Sequence, residues 1–312
     1  MTEILTVGEI LVEIMREKAG ISLNKTGTFK GPFASGAPAI FIDTVANLGH
    51  ESAIVGGVGN DEFGDVCINR LKKDGVDITG IRRSKLPTGV AFVAYFDDGN
   101  RKYIFHIRDS AASDLGDLPG ERIKEVKIFH IMGCSLMIKR EVAEKIIKYA
   151  NIVKESGGKV SFDPNIRVEL MNLDYIKDAV EDIIHLSDII LPGIKELIFL
   201  TDTENKTTAI QKILKRIKIL VLKRGEKGCE IFSRKMYKAV RVPSFKIEEV
   251  DPTGAGDSFD AGFLCAYIEG KSLYDCGVLA NACGAMNTMR LGPMEGIVKR
   301  KSVEEFIRNR RN

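Results

Sequence analysis

The chain has 312 residues, 44% of them hydrophobic and 29% charged, with a formal net charge of +3. That length and balance suit one large α/β domain with a sizeable core, and so small a charge excess gives nucleic acid no reason to be a partner. No apolar run reaches transmembrane length, so no membrane partner is expected either.

The N-terminus M-T-E-I-L-T-V-G lacks the charged-then-apolar signature of a secretory signal, and a cytoplasmic location is expected. Short apolar, β-branched runs follow at Ile4 to Val7, Ser52 to Gly56, Lys127 to Ile131, Lys159 to Phe162, Ile189 to Leu191 and Ile217 to Leu222. They read as parallel strands covered on both faces. Glu141 to Glu155 and Leu173 to Leu186 carry apolar residues at helical spacing, and this alternation predicts an open α/β sheet with right-handed crossovers. Two stretches break the pattern. Met15 to Phe33 looks extended and glycine-punctuated, and Thr88 to Ile107 places two alternating, aromatic-rich runs around D-D-G-N, a hairpin signal. With no linker or repeat in the chain, the expectation is one domain, 1–312, carrying a small β-lid from segments of about 13–33 and 88–107. The lid's edge could also pair between subunits. Cys67, Cys134, Cys229, Cys265, Cys276 and Cys283 form no C-x-x-C pair and have no His at ligand spacing, so they read as reduced core residues.

Two glycine-rich stretches invite a ligand. Gly56 to Gly64, G-G-V-G-N-D-E-F-G, fails the dinucleotide spacing G-x-G-x-x-G, and no acid follows at the required distance. The second, V-D-P-T-G-A-G-D-S-F-D-A-G from Val250, puts Gly254, Ala255 and Gly256 directly before a helical pattern. A glycine turn at a helix N-terminus lets N–H groups converge where the macrodipole is positive, which makes an anion site. Asp257 at that junction reads on its own as an N-cap. One carboxylate beside an anion site, without a second acid, His or nucleophilic Ser, also suits phosphoryl transfer to an alcohol.

D-P-T-G-A-G-D-S-F-D-A-G-F resembles the C-terminal signature of the ribokinase-like (PfkB) carbohydrate kinases. S-G-A-P-A-I-F-I-D-T-V-A-N-L-G from Ser35, V-G-N-D-E-F-G ending at Gly64, F-D-P-N-I-R at Phe162 to Arg167, L-K-R-G-E-K-G at Leu222 to Gly228 and A-N-A-C-G-A at Ala280 to Ala285 match further family segments, in family order, across essentially the whole chain. The resemblance implies a ribokinase-like α/β fold, ATP, Mg²⁺ and phosphorylation of a sugar hydroxyl. By position, Asp257 matches the catalytic base, and Gly254, Ala255 and Gly256 the anion hole. Arg167 resembles a phosphate-side arginine, Lys223, Gly225 and Gly228 the loop that approaches the nucleotide, and Asn281 a residue beside the adenine. Glu196 matches the acid that acts on Mg²⁺ through water, and Asp251 and Thr253 match a monovalent-cation (K⁺) site found in many members. On the sugar side Glu13 stands where members often carry Asp, Gly36 and Ala37 match a close-approach turn, and Arg108 resembles a substrate-facing arginine. Asp260, one turn after Asp257, reads as an ordinary helix residue. Two positions depart from the family: Ile40 replaces a substrate-side Asn, and Gly193 replaces the Asn of N-x-x-E. Both departures resemble the tagatose-kinase-like branch.

The reading is an ATP-dependent kinase of a six-carbon ketose, tagatose or fructose, or of a keto-sugar acid. A 2-keto-3-deoxygluconate kinase, a nucleoside kinase and a catalytically silent sugar- or nucleotide-binding relative are the alternatives. A homodimer through the lid is also implied by the family.

Overall fold

The computed structural model describes residues 2–96, 101–166, 173–236 and 238–311. In chain order the first part runs β1 (Ile4–Val7), β2 (Leu11–Arg16), β3 (Phe29–Ser35), α1 (Ala37–Asn47), β4 (Ser52–Gly59), α2 (Glu62–Lys73), β5 (Asp77–Ser84), β6 (Gly89–Tyr95) and β7 (Arg101–His106). The middle holds α3 (Gly120–Lys124), β8 (Ile128–Met132), α4 (Gly133–Leu136), α5 (Arg140–Glu155), β9 (Lys159–Asp163), α6 (Ile176–Leu186), β10 (Ile189–Ile190), α7 (Ile194–Thr201) and α8 (Lys206–Leu214). The last part is β11 (Ile219–Lys223), β12 (Cys229–Ser233), β13 (Val240–Val242), α9 (Ala255–Ile268), α10 (Leu273–Asn287) and α11 (Arg300–Arg311).

The main sheet is ordered β13-β12-β11-β10-β9-β8-β1-β4-β5. Its pairs are parallel from β5 to β11 and antiparallel at β11–β12 and β12–β13. Successive side chains of a strand point to opposite faces, and here both faces are covered. Ile4, Ile54, Ile128, Ile189 and Ile219 join one core with α1, α9 and α10. Their neighbours Leu5, Val55, Phe129, Ile190 and Leu220 join a second core with α5, α6 and α8. The continuous apolar runs in the sequence are the signature of this two-sided burial. All six cysteines are buried and unpaired in disulfides.

The small sheet is ordered β3-β2-β6-β7. β6 and β7 pair antiparallel through Tyr95↔Arg101, and the D-D-G-N turn lies outside the described residues. The first lid segment differs from its expected bounds. Its strands are Leu11–Arg16 and Phe29–Ser35, so the extended structure begins before Glu13, and residues 17–28 between them are not strand. Leu11 and Glu13 share the inward face of β2, and Tyr103 and Phe105 that of β7, so the lid sheet roofs a cavity of about 210 Å³. No helix among the described residues is long and apolar enough to cross a membrane.

Candidate active site

The floor of the cavity is the turn that opens α9. Gly254 is its N-cap residue at φ 78°, a left-handed conformation that suits glycine. A Cβ there would stand 2.6 Å from the Pro293 carbonyl and 2.8 Å from the Asn287 amide, so the turn is closed to side chains as well as strained for them. Asp257 is therefore not the N-cap. It is the third residue of the helix, 6% exposed, and it lines the cavity with Gly254 and Gly256. The first-turn N–H groups around it have no acceptor within the helix, and the helix dipole adds to their positive end. Asn165 adopts φ 37° and donates from Nδ2 to Asp257 Oδ1 at 3.2 Å. A non-glycine residue in that region is held there by its surroundings, and such strain gathers at functional sites. Here it points an amide at the carboxylate.

Behind the turn lies a buried charge cluster. Lys223, the last residue of β11, reaches Asp163 Oδ2 at 2.7 Å and Asp260 at 3.2 Å. Burial alone would lower the Lys223 pKa, but the adjacent acids Asp163 and Asp260 outweigh it and hold the ammonium firmly protonated. Burial likewise pushes against the Asp163 charge, and Lys223 overcomes it, leaving Asp163 below the ordinary carboxylate range. For Asp260 burial wins and the carboxyl rises well above that range, with a hydrogen bond to Asp163. The cluster is thus one ammonium, one carboxylate and one carboxyl. His130 packs beside it on the Phe41 ring, its Nδ1 2.8 Å from Ser161 Oγ, and complete burial lowers its pKa to about 3. Asp260 is not the ordinary helix residue the sequence suggested: it is fully buried and tied to the lysine. Lys223 also faces the cavity beside Gly256, where a Cβ would be 3.6 Å from its Nζ.

Glu196 lies in the first turn of α7, with Oε2 accepting from Gly193 N at 2.7 Å and Oε1 from Ile166 N at 3.0 Å. It lines the cavity all the same. Arg167 lies outside the described residues. Asp251 is 1% exposed beneath the glycine turn, and Thr253 lines the cavity above it.

The opposite wall belongs to the lid and to α1. Glu13 is 6% exposed and lines the cavity with Gly36 and Ala37. Gly36, at φ 107°, packs against the Glu9 carbonyl so closely that a Cβ would clash. Glu9 itself was not expected in the site. Its buried carboxylate accepts from Cys134 Sγ at 3.1 Å and from Ser135 Oγ at 2.6 Å, and it faces the cavity. Ile40 also lines the cavity, and its Cγ2 would be 3.0 Å from a Cβ on Gly254. Ile40 therefore buttresses the glycine turn.

Arg108 is not among the lining residues. It sits half-buried after β7, where its charge acts on Tyr175. Gly225, Gly228 and Asn281 also stand apart from the cavity but close to one another. Gly228, at φ 79°, packs on the Val242 carbonyl, and Asn281 Nδ2 donates to the Val242 and Pro243 carbonyls at 3.3 and 3.2 Å. The structure adds Asp163, Asn165, Glu9 and, from the lid, Arg101, Tyr103 and Phe105. Asp163 and Asn165 lie in the quoted F-D-P-N-I-R, and the alternation of β7 could have given the three lid residues; Asp260 left no signal beyond its helix position.

The chain is similar to known proteins along nearly its whole length. The model of the pfkB family carbohydrate kinases matches residues 1–300. "Probable fructokinase-5" of Arabidopsis thaliana is 33% identical over 321 residues, covering 98% of each chain. Fructokinase-1 of Zea mays is 33% identical over 97% of each. Among solved structures, an E. coli protein provisionally named ribokinase II superposes with a TM-score of 0.93 at 40% identity, covering 99% of this chain and 100% of the other. The same protein with ATP and Mg²⁺ bound superposes at 0.92.

Proposed function

The chain belongs to the pfkB family of carbohydrate kinases, and from that premise we propose that it transfers the γ-phosphoryl group of ATP to a hydroxyl of a neutral six-carbon ketose of the fructose or tagatose type. The observation that carries this reading is one cavity shared by Asp257, in the first turn of α9, and by the buried carboxylates Glu9 and Glu13. Carboxylates accept hydrogen bonds from several sugar hydroxyls and repel an acidic substrate. Arg108, which would favour a keto-acid, is not among the cavity-lining residues, and curated relatives bear the name fructokinase.

In this reading the acceptor hydroxyl lies between Glu13 and Asp257. Its oxygen bonds to the γ-phosphorus as the bond to the bridging oxygen breaks, and its proton passes to Asp257. Asn165 holds one Asp257 oxygen by a hydrogen bond. In a loose transition state the alcohol gives up its proton late, so the base need not be strong. Charge spreading over the phosphoryl oxygens meets the first-turn N–H groups of α9 and the Lys223 ammonium. Bound Mg²⁺ neutralises the phosphate oxygens, with Glu196 the residue to hold its water. Gly225, Gly228 and Asn281 shape the nucleotide end, and Arg167 is the further phosphate-side cation. The outward residues Ile14, Phe92 and Ile104 stand in one row across β2, β6 and β7, and this row supports a dimer joined through the lid.

A coupled ADP-release assay over fructose, tagatose, 2-keto-3-deoxygluconate and nucleosides tests the reading. Turnover should be highest with a neutral ketose. Preferred turnover of the keto-acid would move recognition to Arg101, the lid cation that lines the cavity.

A further inference from the structure

The oxygens that would bind a monovalent cation beneath the phosphate turn are already engaged. Asp251 Oδ1 accepts from Thr253 N at 3.0 Å and from the Tyr95 hydroxyl at 2.9 Å. Asp251 Oδ2 accepts from Gly292 N at 2.9 Å. The Thr253 carbonyl accepts from Asn287 Nδ2 at 2.8 Å, and Thr253 Oγ1 lies 3.0 Å from the Tyr95 hydroxyl. A cation placed on these oxygens would face the positive ends of four donors aimed at the same atoms. The residues present do not fit a K⁺ ion.

Tyr95 comes from a different part of the molecule. It is the last residue of β6, a central strand of the lid, and its neighbours Ala91 and Val93 pair with Glu13 and Met15 of β2. Its backbone carbonyl accepts from Gly20 N at 2.8 Å, which ties the segment between β2 and β3 to the same residue. Burial and the Asp251 charge hold the phenol proton on, so the hydroxyl remains a donor at every physiological pH. A buried carboxylate needs such donors, because an unpartnered one is costly.

We infer that Tyr95 is a positioning residue, the donor on the lid that takes the place of a monovalent cation at Asp251 and fixes the lid in register with the phosphate turn. The links are short. The phenol holds Asp251, Asp251 holds the Thr253 N–H, and Thr253 precedes the Gly254 turn that presents the first N–H groups of α9. The strand that brings Tyr95 also pairs with the strand that carries Glu13. Sugar contact and phosphate contact are set by one hydrogen bond, without an ion.

This inference rests on reading Gly254 to Gly256 as the phosphate seat, and its test includes a measurement that needs no turnover. Thermal melts and steady-state rates are measured in KCl, NaCl and tetramethylammonium chloride at equal ionic strength, for the native protein and Tyr95→Phe. The native protein should melt at the same temperature in all three salts and turn over within about twofold in each. Tyr95→Phe keeps the ring and removes the donor. Its kcat should fall by about 10-fold, the loss of one hydrogen bond to a buried charge, and K⁺ should restore part of that rate and raise the melting temperature. A native enzyme that K⁺ activates or stabilises, or a variant that K⁺ does not affect, overturns the inference. Absence of turnover in every salt would count against the kinase assignment of the site, while the melts would still decide the role of Tyr95.

Discussion

The two walls of the cavity are built differently. On the side proposed to seat the phosphate, groups hang from the end of β11, the loop after β9 and the first turn of α9, and Asp163, Lys223 and Asp260 form a buried charged network. On the side proposed to hold the sugar, groups come from alternate positions of a four-stranded sheet that carries Phe29 and Ile104 on its outer face, 40% and 42% exposed. A preset wall lowers the cost of stabilising charge that appears only in the transition state. Arg101, Tyr103 and Phe105 of that sheet are not fully buried, so they can change at little cost to the core. The difference teaches where chemistry and where choice reside: the first wall should control kcat and folding, the second KM.

The largest expected effect is on the phosphate wall. Lys223→Met removes the ammonium from between two buried acids, and breaking such a buried pair costs about 3–5 kcal/mol. Urea unfolding measures it; a midpoint close to that of the native protein would show that water already screens the cluster. Next, Asp257→Asn should lower kcat by at least ~10²-fold with the sugar KM little changed, as loss of a general base requires. Single-turnover kinetics checks this, and near-normal turnover would reduce Asp257 to a helix-terminal charge.

A third effect depends on pH. His130 is neutral in the fold with a pKa of about 3, against about 6.5 in the unfolded chain. The unfolded state therefore binds the extra proton first, and stability falls as pH drops from about 6.5 towards 3. At pH 4.5 the loss should be about 1–3 kcal/mol, and His130→Phe should flatten that part of the urea-midpoint profile. The smallest effect belongs to the lid. Phe105→Ala removes apolar contact worth about 1 kcal/mol, so the sugar KM should rise several-fold with kcat unchanged. A substitution at Tyr103 or Phe105, the inward lid residues, that lowered kcat alone would end the division between the walls; Tyr95 points instead to Asp251 and belongs with the first wall.

Much of this was legible in the sequence. The apolar runs gave the main strands because both faces of that sheet are buried. The alternation around D-D-G-N gave β6 and β7 because only one face of the lid is buried. The turn at Gly254 and the helix after it were legible from local chemistry, since a positive φ and a helix end are properties of a few consecutive residues; the same local chemistry made Asp257 an N-cap, a place that Gly254 takes. What escaped depends on partners far away in the chain. Asp260 matters through Lys223, 37 positions earlier, and Tyr95 through Asp251, 156 positions later. Glu9 drew no notice in the sequence, and only the fold places it against Ser135. Arg108 follows β7 and is not among the residues that line the cavity, a placement that sequence similarity alone does not fix.

The order of the walls along the chain has a consequence for synthesis. The lid strands β2, β3, β6 and β7 end at residue 106, whereas the glycine turn begins at residue 254, packs on Pro293 and follows Asp251, which is held by Gly292. At ribosomal speeds of about 5–20 residues per second, the sugar wall leaves the ribosome on the order of ten seconds before its counterpart exists. During that interval Leu11, Phe105 and Tyr95 have no turn to close against. A nascent chain can gather a sugar-facing surface, but it cannot spend a nucleotide until nearly the last helix has been made.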